Sequence, residues 1–399
     1  MRGQARHYLL PLAFAVAPAV MLLLTWQDDS GLNARALKLY LPVLLGAELL
    51  TVYVAVRKGF RPEIPRAPLF GLLALIAVAF GSAAFAPEPA RSLTWTIVWI
   101  IHLAFGWAAG RLFDREAAPN ALMAGFLLFA LLLAVRATSP VADWLNNPPG
   151  LDQLRRFAYY AAPIAGLAVG ALAGPRRGFA FLVACVAFGM IFWNGARGAV
   201  LAIPAAAAVG IALFPGLRRK AVLLAPVAAL IGLLAARLVP VEPNTMGTGR
   251  MISSSSSLRD IVWQRTVEAI MERPIFGWGE AQSSLFTRFA QPHNILLQTL
   301  LAWGVVGTVL VIYLGIFAAR RAIPEVRADD RLVPAAVAAM TLAAYSLVDG
   351  TLYHILPTAI FAAMTGMMLT RADQTQSSRL PEGSIGQDDR EAEGTGQGA

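Results

Sequence analysis

Apolar runs, each about as long as a helix needs to cross a hydrocarbon core of roughly 30 Å, recur along most of this chain with mostly short polar connections between them. Strand-like alternation is absent, and inside lipid a helix is the element that satisfies its own backbone. The pattern predicts an all-α, polytopic integral membrane helix bundle with about 12 transmembrane helices. The expected spans lie near residues 8–26, 37–56, 68–86, 92–110, 120–138 and 158–174, then near 179–194, 199–214, 221–238, 293–318, 332–348 and 354–370. This divides the chain into a first set of nine transmembrane helices (1–238), a loop (239–292), three further helices (293–370) and a polar tail (371–399). Arg2 and Arg6 precede the first apolar stretch as in a secretory signal, but that stretch is too long for a cleaved core and many spans follow. A retained signal anchor is therefore expected.

The connections give the orientation. Basic residues cluster at Arg57-Lys58-Gly59-Phe60-Arg61, Arg111 to Arg115, Arg176-Arg177, Arg218-Arg219-Lys220 and Arg320-Arg321, which fall on one side when the spans are counted in order. By the positive-inside rule that side is cytoplasmic, together with both termini. The tail is rich in Gly, Gln, Ser and acidic residues and is expected to be disordered. The other side receives the one long connection, 239–292, and long loops in compact proteins usually carry function. Within it Ser253 to Ser257 form a low-complexity lead, and Leu258, Ile261, Val262, Ala269 and Ile270 repeat at helical spacing, predicting a helix at about 258–272. Arg273-Pro274 stops that helix, and Gly277 and Gly279 permit a tight turn around Trp278.

Composition agrees with the pattern and narrows it. At 57% hydrophobic and 14% charged residues, the chain has too little polar surface to cover a water-soluble globule. Its net charge of +9 comes from 33 Lys and Arg set mostly in short clusters between apolar runs, a mark of membrane topology and not of a nucleic-acid face. The single cysteine, Cys185, excludes an intramolecular disulfide and multi-cysteine metal sites.

Candidate chemistry gathers on the loop side, where the positive-inside rule leads one to expect few arginines. Arg155, Arg156, Arg197, Arg250, Arg259, Arg265, Arg273 and Arg288 all map there, and no lysine occurs after Lys220. A guanidinium fork matches phosphate oxygens through paired, charge-assisted hydrogen bonds, so a polyanionic ligand is the simplest reason for this set. Arg197 lies in the very short connection Asn194-Gly195-Ala196-Arg197-Gly198 at the rim of the bundle, where it either meets a ligand or snorkels to headgroup phosphates. Arg259 and Arg265 share the loop helix but stand about 120° apart on it and cannot share one narrow face: one can contact a ligand while the other pairs with Glu268 or Glu272, and a solvated surface position is the alternative for either. His293 follows Pro292 at the start of a long helix, where the dipole and nearby arginines favour a neutral imidazole able to accept a proton. A simple capping role is the alternative. His7, His102 and His354 form no metal-ligand spacing with it and are expected to be structural. Asp349 ends the eleventh span on the same side, either orienting His293 or an arginine or capping the next turn. No Asp-x-Asp pair, phosphate-cradling glycine loop or nucleophile elbow occurs, which speaks against nucleotide-sugar and ATP chemistry.

Taken together, Ala196-Arg197-Gly198 before a span, Arg259-x-x-x-Trp263, Arg273-Pro274-x-x-Gly277-Trp278-Gly279, and His293-Asn294-x-x-Leu297-Gln298 followed by Gly304 and Gly307 resemble the shared region of the bacterial O-antigen ligases and related O-antigen polymerases. The resemblance covers about Ala196 to Gly307. It implies a metal-independent, inverting membrane glycosyltransferase of the Gram-negative inner membrane, without cofactor, acting on the periplasmic face. Its donor would be a glycan on undecaprenyl pyrophosphate and its acceptor lipid A-core. Carried over, Arg197 and Arg259, with Arg265 competing, correspond to pyrophosphate-binding positions, His293 to the family histidine, and Asp349 loosely to a late acidic position. Arg155, Arg156 and Arg288 are supporting candidates. Polymerases and protein O-oligosaccharyltransferases share these marks; the modest loop and Arg155-Arg156-Phe157-Ala158-Tyr159-Tyr160 favour a ligase. A lipid-linked glycan flippase is the rival from another class. It is expected to carry charges near mid-span along a path, whereas here the mid-span regions are nearly uncharged, with Glu48 the main exception.

Overall fold

The structure, a computed structural model, describes residues 2–24, 32–137, 156–214, 217–239 and 258–370. Arg155, Arg250, the serine run 253–257 and the tail 371–399 lie outside the described residues. Among the described residues every regular element is helical. The first half comprises α1 (Arg2–Ala15), α2 (Ala17–Leu24), α3 (Leu32–Arg57), α4 (Arg66–Ala84), α5 (Pro89–Leu112), α6 (Ala117–Ala137) and α7 (Arg156–Ala171). There follow α8 (Arg177–Asn194), α9 (Arg197–Leu213), α10 (Arg218–Leu238), α11 (Arg259–Glu272), the short α12 (Ser284–Thr287), α13 (Ile295–Ala328), α14 (Val333–Ser346) and α15 (Ile355–Leu369). Five of these, α4, α5, α6, α8 and α13, are long and apolar enough by themselves to cross a membrane. Others, such as α9 and α15, are apolar but shorter.

The helices are packed through small residues. α7 is buried along nearly its whole length against α8 and α14, and α15 lies against α5 and α14. At the α5–α15 contact the backbone of Gly106 lies against Ala362 and Gly366, closer than any side chain would permit. Large apolar side chains such as Leu73, Leu201, Leu223 and Val309 point outward instead, as positions facing lipid do.

One pole of the bundle is tied by ion pairs. Arg115 bonds Asp329 at 2.9 Å and the carbonyl of Thr370 at 2.5 Å, while Arg331 also grips Asp329 at 2.8 Å. Burial alone would raise the Asp329 carboxyl, but hydrogen bonds from Arg331 and Arg115 outweigh it and hold the group at about 2. Arg111 with Glu63, and Arg176 with Glu116, belong to the same pole. Between the poles, Glu48 on α3 and His102 on α5 meet at 2.7 Å with both side chains buried.

The long helix α13 is broken. Gly304 has φ 63° and ψ −165°, well outside helical values, so the peptide groups around it lose their helical partners. The segment that follows α11 supplies replacements. Trp278 N–H donates to Leu301 O at 2.8 Å and Gly279 N–H to Ala302 O at 2.9 Å, while Val305 N–H donates to Pro274 O at 2.8 Å and Val306 N–H to Ile275 O at 3.3 Å. This backbone-to-backbone approach explains two glycines of the motif: a Cβ on Gly277 would meet the Ala302 carbonyl carbon at 2.6 Å, and one on Gly304 would run into the Ile275 carbonyl. Arg273 and Trp278 secure the segment, the guanidinium lying 3.9 Å from the indole centroid and donating to Phe85 O at 3.1 Å.

Candidate active site

The pole opposite the ion pairs holds the starts of α7, α9, α11, α13 and α15, and its polar contacts converge on Asp349. After α14 ends, Asp349 N–H still donates to Tyr345 O at 2.9 Å, which fixes the carboxylate in the turn before α15. Oδ1 accepts from Tyr159 Oη at 2.8 Å, from His293 Nδ1 at 2.8 Å and from the Gly350 N–H at 2.9 Å. Oδ2 accepts from Arg259 at 3.0 Å. Asp349 is only 4% exposed, so burial alone would raise its carboxyl. The His293 hydrogen bond and charge, then the Arg259 charge and the Tyr159 hydroxyl, outweigh burial and hold it well below the usual carboxylate range.

Each partner arrives by a local rule. Arg259 and Trp263 stand one turn apart on α11 and so share a face: Arg259 reaches Asp349, and Trp263 Nε1 donates to Pro292 O at 2.8 Å. Arg265, rotated away by its six-residue offset, is exposed and makes no ion pair among the described residues; its expected pairing with Glu268 or Glu272 is not seen, and Gln264 bonds Glu268 instead. Asn294, not His293, caps α13, its side chain accepting from Leu296 and Leu297 N–H. That leaves His293 just outside the helix with φ 56°, a left-handed conformation that is costly for a histidine and recurs at functional sites. Because Nδ1 donates to Asp349, Nε2 is the nitrogen left to accept a proton.

The remaining sequence candidates divide. Arg197 begins α9, half-buried, where the backbone of Gly198 presses on the Tyr345 ring; Tyr345 in turn packs edge-on against Tyr159 at 5.7 Å. Arg156 begins α7 and lies near enough for its charge to bear on Tyr353 and His354. Arg288 is exposed at the end of α12 and has no ion pair among the described residues, and Arg273 is occupied with Phe85 and Trp278. Four participants carried no separate signal in the sequence. Tyr159 was visible only as part of the Arg-Arg-Phe-Ala-Tyr-Tyr run. His354 stacks on Tyr159 at 4.7 Å and meets Gln291 Nε2 at 3.0 Å, and Gln291 lies so close to Gly350 that no side chain fits there. Glu280, 1% exposed, accepts from Gln298 at 2.9 Å, and burial pushes its carboxyl up to about 7 despite hydrogen bonds from Gln298, Trp99 and Ala281 N–H. A small cleft beside Asp349 is lined by Gln291, Ser346, Tyr353 and Gln298, the last of these the hydrogen-bond partner of Glu280. Among the described residues no group of three or more His, Cys, Asp or Glu side chains is arranged to hold a metal ion.

Fold and site together define a multi-pass membrane protein with an arginine, histidine and aspartate cluster confined to one pole of its helices. Within that class, residues 179–312 match the family model described as O-antigen ligase, and the match contains Arg197, Arg259, Arg265, Arg288 and His293. The resemblance read from Ala196 to Gly307 is thereby shown for this stretch, while Tyr159, Asp349 and His354 lie outside it. No curated protein matches the chain.

Proposed function

We propose that the chain is an O-antigen ligase that transfers a polysaccharide from undecaprenyl pyrophosphate to lipid A-core on the periplasmic face of the inner membrane. About twelve spans with the basic pole in the cytoplasm, and the Asp349 pole outside, complete this reading. The observation that carries it is the single carboxylate of Asp349, which binds both His293 and Arg259.

In the reaction, His293 Nε2 removes the proton of the acceptor hydroxyl as its oxygen attacks the anomeric carbon of the donor. The bond from that carbon to the pyrophosphate oxygen breaks, with inversion, and undecaprenyl pyrophosphate leaves with added negative charge. Asp349 holds the imidazole in the tautomer that presents Nε2 and stabilises the imidazolium that forms. Arg197 and Arg259 meet the leaving charge, with Arg265, Arg156 and Arg288 in reach of extended phosphates or sugars. Fixed guanidinium charges in a partly dry site act strongly on developing charge, and on this reading they take the part a divalent ion plays in other transferases. The energy comes from the donor's own sugar–pyrophosphate bond.

The test incubates purified protein with a lipid-pyrophosphate glycan and lipid A-core in excess chelator. Product on lipid A-core supports the ligase. Longer lipid-linked chains identify a polymerase, product on added protein an O-oligosaccharyltransferase, and vesicle translocation without covalent product a flippase. His293→Ala is expected to be inactive; wild-type turnover by that variant refutes the base assignment.

A further inference from the structure

By sequence the stretch after α11 belongs to a water-facing loop, yet its backbone closes the break in an apolar helix. We infer that residues 274–276 form a short re-entrant segment of the membrane, with Ile275 and Phe276 in contact with acyl chains of the leaflet at the Asp349 pole. Irregular backbone is tolerated at membrane depth where its polar groups are satisfied by protein, and here the Pro274 and Ile275 carbonyls are bonded to Val305 and Val306 while the Phe276 carbonyl accepts from the Ser82 hydroxyl.

Two helices give the depth independently. Counted from Arg66 at the start of α4, about 20 residues reach Phe85, which places Ser82, and with it Phe276, roughly 5 Å inside the far edge of the hydrocarbon. Counted back from Arg320 on α13, about 20 residues reach Leu300, so Gly304 lies roughly 6 Å inside the same edge. Ile275 and Phe276 are each 58% exposed, and the segment is bonded beside outward-facing residues of two helices, Phe85 at the end of α4, on the same face as Ser82, and Val305 and Val306 on α13. The exposed surface is therefore continuous with the lipid-facing belt. Arg273 over Trp278 sits at the mouth of the segment, the pairing of a snorkelling cation and an indole that favours the headgroup layer. The inference stands whether or not the chain transfers glycans.

Ile275→Cys and Phe276→Cys, each in a Cys185→Ser background, would be spin-labelled in lipid nanodiscs, with Val309→Cys as the lipid control and Arg265→Cys as the aqueous control. Collision with oxygen at 275 and 276 is expected to match position 309, and collision with a water-soluble nickel chelate to be several-fold below position 265. Nickel access equal to that at 265 overturns the inference, as does exclusion of both reagents, which would mean that protein covers the segment. On the unsubstituted chain, a diazirine-bearing phospholipid is expected to label Ile275 or Phe276 by peptide mass spectrometry. Labelling of α13 without labelling of this segment overturns it equally.

Discussion

At the residue scale the centre of the site is a carboxylate with both oxygens engaged. Asp349→Asn keeps the shape but removes the charge: with the amide oxygen at the Oδ1 position, where three donors converge, the NH2 faces Arg259 in place of an acceptor, and the imidazolium formed on His293 loses its counter-charge. Transfer by that variant is expected to fall roughly 10²- to 10⁴-fold with donor KM little changed, measured by glycan transfer in vitro. Arg259→Lys, which supplies a point charge in place of a planar fork, is expected to lower kcat by about 10² or more, and Arg265→Lys by much less. Glu280 makes a pH prediction. Its folded value of about 7 lies above the ordinary 4.5, so between those values the folded chain binds the proton more tightly. Stability from this group is thus greatest below about pH 4.5 and declines as pH rises to about 7, by on the order of 3 kcal/mol. Glu280→Gln is expected to flatten that slope in detergent melting curves and to raise the melting temperature at pH 8. His293 and Arg259 were legible because their residue types are out of place where they stand in the chain. Tyr159, Gln291 and His354 were not, because a buried tyrosine, glutamine or histidine reads like any packing residue until its neighbours are known.

Elements repeat this division. Helix positions could be read from the apolar runs, and the loop helix from its spacing, because both depend on periodicity within one segment. The role of Arg273-Pro274-x-x-Gly277-Trp278-Gly279 could not be read beyond a tight turn, since its partners are peptide groups of a helix later in the chain. Gly304→Ala is expected to destabilise by at least about 2 kcal/mol, since it combines a positive φ with a clash against the Ile275 carbonyl; a melting shift in detergent measures it. Among the spans, Glu48→Leu leaves His102 buried without its partner and is expected to cost about 3 kcal/mol. The double change Glu48→Leu with His102→Leu is expected to recover most of that.

Across the whole molecule, charge is distributed by pole. The ion pairs of Arg111, Arg115, Arg176 and Arg331 hold one end together, and Arg156, Arg197 and Arg259 begin helices at the other. If guanidinium groups neutralise the leaving phosphate, transfer is expected to be unchanged in millimolar chelator and to weaken steadily with added salt or pyrophosphate. The order of elements along the chain adds a consequence for assembly. The peptide that completes the interrupted helix is translated before that helix, so it is already on hand when the insertion machinery receives the broken stretch. Moving this peptide behind α13 by circular permutation would leave bare amides to partition into lipid, and the product should stall during biogenesis even though every residue is retained.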